Sequence, residues 1–343
     1  MAEALDVLLI GGSGFLGHHV ASALRAEGHR VSVMTRGRSG LPEGVEGLSA
    51  DRADRASLAA ALEGRRFDLT VDFLVYDAAD VEALLFVPYA ALGRYVMIST
   101  GQVYLVSEGS KPPFREDDVE GPVRPEPETG EYDRASWRYG TGKRRAERTL
   151  LGLRGSHGVR STILRLPIVQ GEGDGSLRLW AYLERMLDGG PLVLPDGGTQ
   201  TARFVHAGDV GRAIARLAVD PPRAAVYNLA QPDAIPLRDF LERVAKAAHL
   251  EPRFVDAAWA ECRAAGLDEA FSPYAGKWRS VLDPSRIATE WGFVAARTED
   301  YLPGVVRWHL ERKPASHAGY ALRSEELALA GRSAGGRGAR LPS

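Results

Sequence analysis

The chain has 343 residues, 45% of them hydrophobic, and its 43 basic side chains are nearly matched by 45 acidic ones. That length suits two lobes with a full core, and balanced charge supplies no broad field to gather nucleic acid. Cys262 is the only cysteine, which excludes an intramolecular disulfide and a cysteine metal cluster. No metal is expected, and the thiol reads as buried and inert.

Leu5 to Ile10 is a short apolar run of the kind a buried parallel strand needs. A glycine turn follows, and His18 to Glu27 carries apolar residues at helical spacing until Gly28 stops it. Arg30 to Thr35 reads as a second strand and Ser57 to Leu62 as part of a second helix. Leu69 to Tyr76 and Tyr95 to Ile98 supply further strands, with a helix around Asp80 to Val87 between them. Ser136 to Leu153 is expected to be helical and Thr162 to Leu166 a strand. This alternation implies an α/β fold, a Rossmann-type doubly wound parallel sheet with helices on both faces.

The second half is less regular and predicts a smaller mixed substrate lobe. Leu177 to Leu187 is an amphipathic helix ending at Gly189-Gly190, and Leu192 to Leu194 and Arg203 to Val205 flank a turn at Asp196-Gly197-Gly198. Asp209 to Val219 is a helix that Pro221-Pro222 stops. Ala225 to Leu229 looks like a strand returning to the sheet. Leu237 to Ala248 is a helix, with Phe254-Val255 and Val281-Leu282 as short strand candidates. The expected division is a core of residues 1–166 with 205–230 returning to it, a lobe of 167–204 and 231–320, and a disordered tail over 322–343, where Ala, Gly, Arg and Ser dominate. No apolar run reaches the ~20 residues of a bilayer span and no basic leader precedes the first strand, so a soluble cytoplasmic protein is expected.

Gly11, Gly14 and Gly17 stand at intervals of three directly after the first strand. The first permits a tight turn, the second lets a pyrophosphate approach the backbone, and the third allows close helix-to-sheet packing. Ser13, Phe15 and Leu16 share this turn, where the amides of a helix start face phosphates. The second strand ends in Thr35-Arg36, with Arg38 beyond and no acid until Glu43. NADP is therefore favoured over NAD, Arg36 pairing with the 2′-phosphate. Asp51, at the end of a third strand, is a candidate adenine contact.

Tyr139 and Lys143 lie four apart, on one helical face, where an ammonium lowers the pKa of a phenol. Gly140 and Gly142 interrupt that helix although alanine would be ~1 kcal/mol better at each, which makes sense if a cofactor or the sheet comes close. With GGSGFLG, Ser99-Thr100-Gly101-Gln102-Val103-Tyr104, Leu164-Arg165-Leu166-Pro167 and Arg203-Phe204-Val205-His206, the chain resembles the extended short-chain dehydrogenase/reductase family over roughly residues 5 to 310. The resemblance implies that Thr100 polarises the substrate oxygen, Tyr139 exchanges the proton, and Lys143 holds the nicotinamide ribose. Ser99, at the same strand end, joins the cofactor-binding set, and Gln102 and Arg203 join Thr100 as substrate residues. Gly101 and Gln102 stand where a dehydratase places its acid and base, so dehydration is not expected.

The expected activity is therefore NADP(H)-dependent oxidoreduction or epimerisation at a hydroxyl or keto group of a sugar nucleotide or related polar substrate. A ketone or lactone reductase without nucleotide-sugar specificity is one alternative. A non-catalytic or RNA-binding member is another, suggested by Tyr76-Asp77-Ala78-Ala79-Asp80, although the charge balance speaks against nucleic acid. Pro167 and the order Arg203-Phe204 depart from the nucleotide-sugar members. The polar stretch between Tyr104 and Ser136 reads as a lid or binding loop. Extended members pair through two helices, and Asp80 to Leu92 with Ser136 to Leu153 are the candidates for a homodimer, Arg144, Arg145 and Arg148 making the second more polar than a tight interface prefers.

Overall fold

The computed structural model describes residues 3–37 and 40–337. In chain order its first half runs β1 (Asp6–Ile10), α1 (Phe15–Ala26), β2 (Arg30–Thr35), β3 (Glu46–Ser49), α2 (Arg55–Leu62), β4 (Leu69–Asp72), α3 (Ala78–Glu82), α4 (Tyr89–Leu92), β5 (Arg94–Thr100), α5 (Gln102–Leu105), α6 (Glu131–His157) and β6 (Ser161–Leu166). The second half runs β7 (Ile168–Gln170), α7 (Trp180–Leu187), β8 (Leu192–Pro195), β9 (Thr201–Ala202), β10 (Phe204–His206), α8 (Ala207–Val219), β11 (Val226–Asn228), β12 (Ile235–Pro236), α9 (Leu237–Ala248), β13 (Phe254–Ala257), α10 (Trp259–Ala264), α11 (Ser285–Trp291), α12 (Thr298–Arg312) and α13 (Arg323–Arg337). Among the described residues no helix is long and apolar enough to cross a membrane.

The chain divides into two units. The first holds residues 1–169, 204–232 and 280–296 around a seven-stranded parallel sheet in the order β11-β6-β5-β4-β1-β2-β3. Alternation along β1 shows why: Val7 and Leu9 enter one apolar cluster with α1, α8 and α11, while Leu8 and Ile10 enter another with α2 and α6. Strand order reverses between β1 and β4, and in open parallel sheets ligands bind at the carboxyl ends of the strands at such a reversal. Residues 204–232 return to this unit. Residues 280–296, expected in the lobe, return too.

The second unit comprises 170–203, 233–279 and 297–343. Strand β8 pairs in parallel with β13, and β9 antiparallel with β12. Leu192–Leu194 is therefore joined to a distant strand across the sheet. Cys262 is fully buried, and burial pushes its thiol up to about 11, in line with an inert role. The tail from 322 is the main correction to the expected organisation. Arg323–Arg337 is a helix whose Glu326 receives the buried Arg185 guanidinium at 2.9 Å and Arg323 at 2.7 Å, and whose Leu329 and Ala330 are buried. Residues 338–343 lie outside the described residues.

Other corrections have local causes. Strand β4 ends at Asp72 because its carboxylate turns the chain, accepting from Leu74 N at 2.9 Å, so Phe73 to Tyr76 leave the sheet. Val281-Leu282 contributes a single bridge, Leu282 to Phe114. Helix α6 begins at Glu131, earlier than expected, and Arg144 is not on its outer face. That side chain is buried, donating to Ser107 Oγ at 3.0 Å and to the Gly121 carbonyl. The segment after Tyr104 is anchored as well: Ser107 bridges Val123, Phe114 is buried, and Glu116 is buried with its carboxylate on Asn228 N at 2.8 Å.

Candidate active site

The turn after β1 has the shape a pyrophosphate requires. Gly11 adopts φ +77°, and a Cβ there would lie 2.4 Å from Leu74 Cγ. A Cβ on Gly17 would lie 2.2 Å from the Gly12 carbonyl oxygen, so only glycine lets α1 sit this close to the turn. Beside Gly14 there is nothing within 4 Å. That open side, at the N-cap of a helix whose cap has no side chain, leaves the first amides facing outward. Ser13, Phe15 and Leu16 are partly buried in this first turn.

At the end of β2, Arg36 is exposed and has no ion-pair partner among the described residues; Thr35 Oγ1 accepts from Gly37 N at 3.0 Å. Arg38 lies outside the described residues. Asp51 is exposed just past β3, and its carboxylate accepts from Ala53 N at 2.9 Å within the turn leading to α2.

Thr100, Tyr139 and Lys143 come together at the end of β5. The Thr100 hydroxyl accepts from Gln102 N at 3.3 Å and lies near enough to the Tyr139 phenol to bear on its protonation. Lys143, only 2% exposed, donates from Nζ to the Ile98 carbonyl at 2.8 Å. Burial lowers this amine to about 8, against the pull of Asp72, Glu147 and Asp80 and with some help from Arg52. Tyr139 is 37% exposed as a residue, yet burial pushes its phenol above its ordinary value, with the nearby Thr100 hydroxyl opposing. The lowering expected from Lys143 does not show in the phenol's net shift, which burial sets upward, with the ammonium 5.9 Å from the centre of the Tyr139 ring.

Ser99, on the other side of the strand, donates to Glu147 Oε1 in the core. Gln102 Oε1 is buried without a hydrogen-bond partner among the described residues. Arg203 belongs to the second unit, partly buried between β9 and β10. The two glycines of α6 are explained by protein neighbours. A Cβ on Gly140 would lie 2.8 Å from Val106 Cγ1, and one on Gly142 2.4 Å from the Tyr76 carbonyl oxygen.

Sequence reasoning missed the polar groups beneath the site. Asp72, fully buried, pairs with Arg52, accepts from the Tyr95 hydroxyl, and pulls on Lys143. Arg52 also donates to the Asp80 carbonyl at 2.6 Å. On the far side of Lys143, Glu147 pairs with Arg165 at 2.6 Å, which in turn donates to Tyr104 at 2.7 Å. Asp72 and Glu147 were legible only as a charge in an apolar strand and one turn beyond Lys143.

A parallel sheet with an open glycine turn after β1, and with Thr100, Tyr139 and Lys143 gathered at the end of β5, has the layout of a dinucleotide-binding fold. The profile of the NAD dependent epimerase/dehydratase family matches residues 7–230, and the chain belongs to that family. It is accordingly an NAD(P)-dependent enzyme of oxidoreductase or epimerase type. The chain is 30% identical to 2'-dehydrokanamycin reductase from Streptomyces kanamyceticus, over 82% of this chain and 77% of the relative. It is 25% identical to the chloroplast stem-loop binding protein of 41 kDa b from Arabidopsis thaliana, over 73% and 65% respectively. The UDP-glucose 4-epimerase from Thermotoga maritima, solved with UDP-glucose, superposes with a TM-score of 0.69 at 20% identity, covering 90% of this chain and 100% of that one.

Proposed function

We propose that the chain uses NADPH to reduce a keto group on a sugar-related small molecule, with Tyr139 delivering the proton. The carrying observation is the Tyr139 phenol, beside Thr100 at the end of β5, its pKa raised by burial, and one helical turn from the buried Lys143 ammonium. A protonated phenol is the form that gives a proton, so this arrangement suits the reductive direction near neutral pH. The 30% identical reductase supports the same direction and the substrate class.

A nicotinamide dinucleotide bound at the Gly11–Gly17 turn supplies hydride to the substrate carbon. Lys143 is suited to hold its ribose, and Arg36, with no acid at Thr35, its 2′-phosphate. As the carbonyl oxygen gains charge, the Thr100 hydroxyl and the Tyr139 phenol donate to it. Tyr139 then passes its proton, and the Lys143 ammonium offsets the phenolate left behind. Gln102 Oε1, buried with no hydrogen-bond partner among the described residues, suits a hydroxyl next to the reacting carbon. Arg203 is the candidate for an anionic group on the substrate.

The test is a panel of free keto sugars, keto nucleotide sugars and small ketones, followed by dinucleotide absorbance with NADPH and NADH. Net oxidation of NADPH with at least one keto sugar is expected, with Tyr139→Phe slower by about 10²–10⁴-fold and its dinucleotide affinity unchanged. Undiminished turnover by Tyr139→Phe rejects the mechanism. Equal affinity for NADPH and NADH rejects the role of Arg36, and interconversion of nucleotide sugars without net dinucleotide oxidation makes the enzyme an epimerase.

A further inference from the structure

Lys143 makes no ion pair among the described residues. The charged groups facing it are engaged elsewhere: Asp72 and Asp80 on Arg52, from β4, α3 and the loop before α2, and Glu147, one turn along α6, on Arg165. What lies close to the ammonium, besides the Ile98 carbonyl, is two aromatic rings. Nζ is 5.3 Å from the centre of the Tyr76 ring and 5.9 Å from that of Tyr139, and the two rings are 6.4 Å apart at a 52° tilt. The faces of such rings carry negative charge density and attract a cation.

Tyr76 is 52% exposed, a large aromatic left at the surface. Its backbone is nevertheless fixed. Asp80 Oδ2 accepts from Tyr76 N at 2.7 Å and from Asp77 N at 3.0 Å, capping α3, and the missing side chain of Gly142 lets α6 come up against the Tyr76 carbonyl. Rigid elements thus present the ring to the lysine, and ordinary packing does not explain its half-open position.

We propose that Tyr76 is a positioning residue for Lys143, its ring forming with that of Tyr139 an aromatic clamp that stabilises the ammonium in place of a paired carboxylate. The proposal rests on the reading of Tyr139 and Lys143 as the proton-transfer pair. It predicts that the ring face matters and the Tyr76 hydroxyl does not. Leucine keeps apolar bulk over the lysine but removes the ring's charge density, so the ammonium loses stabilisation and gives up its proton at lower pH.

The direct measurement is a nuclear magnetic resonance titration of the lysine side-chain nitrogens in the full chain, which has five lysines, with Lys143→Arg identifying the signal. Wild type is expected to titrate near about 8. Tyr76→Phe should superimpose on it, and Tyr76→Leu should titrate about half a pH unit lower. Coincidence of Tyr76→Leu with wild type overturns the clamp, and so does a Tyr76→Phe shift as large as that of Tyr76→Leu. The alkaline limb of kcat/KM with NADPH and a keto sugar should move with the titration. Turnover of Tyr139→Phe reads the catalytic assignment separately, because full activity there removes that assignment without moving the lysine signal.

Discussion

At the scale of single residues, the site combines an unfavourable burial with a function that needs it. The Lys143 ammonium is desolvated, with its pKa brought from 10.5 to about 8. A folded-state value below the unfolded one means that the unfolded chain binds more protons between those two pH values, so stability rises with pH across that window. The stabilisation is fully present above 10.5 and is lost as pH falls through about 8. Chemical denaturation of wild type and Lys143→Met at several pH values should therefore show wild type gaining on the variant from about 8 upward, with a flat difference below. Parallel curves across the whole range would sink the idea that this lysine is buried with its charge. Activity should run the other way, falling as pH passes through about 8, because the deprotonated amine no longer offsets a phenolate.

At the scale of elements, α6 is held to the sheet by a charge pair as well as by apolar packing. Glu147 on α6 and Arg165 on β6 have side chains 3% and 2% exposed, and Ser99, Tyr104 and the Glu116 carbonyl complete their hydrogen bonds. Removing one partner leaves a buried charge alone, so Glu147→Ala is expected to cost about 3–5 kcal/mol. The double variant Glu147→Leu with Arg165→Met should be less destabilised than Glu147→Ala, as read by urea denaturation; simple addition of the two single effects would show that the residues are not coupled. Much of this region was legible in the chain. Strands β1 and β2 and the turn between β1 and α1 followed from apolar runs and glycine spacing, and the facing of Tyr139 and Lys143 followed from helical periodicity. Tyr76 was not legible, because the run from Leu69 reads as one strand and only the Asp72 carboxylate shows where it turns out of the sheet. Arg144 was misplaced for a related reason: its carbonyl and hydroxyl acceptors come from the segment after Tyr104, whose own polar composition hid its anchoring.

At the scale of the whole molecule, the packing of α6 bears on how two copies could pair. Leu150 and Leu153 of α6 belong to the chain's own core, and the exposed residues between them and the site include Arg145 and Arg148. Leu85 and Phe86 are each about half exposed, Phe86 lying under the Arg55 guanidinium. A pair formed through these helices would have to bury arginines, so light scattering at low micromolar concentration should return the 37.1 kDa of one chain. A mass of twice that value would show that the arginines find partners across the interface.

Helix α13 is tied into the second unit. Composition hid it, since Ala, Gly, Arg and Ser give no apolar stripe, and its order comes from paired charges in the second unit. Glu326 accepts from Arg185 at 2.9 Å and from Val193 N at 2.8 Å, and Arg323 reaches Asp188 at 2.7 Å. Deleting residues 323–343 would leave the Arg185 guanidinium, 2% exposed in the intact chain, buried without its carboxylate and the β8 amide without an acceptor. The truncated chain should therefore melt earlier, with early proteolytic cuts in residues 170–203 and 233–279 and slower ones around the seven-stranded sheet. Glu326→Gln, which keeps the amide's acceptor and removes only the charge, should fall between truncated and intact chains. Unchanged melting and cutting after truncation would show that this helix is an appendage and not part of the second unit's core.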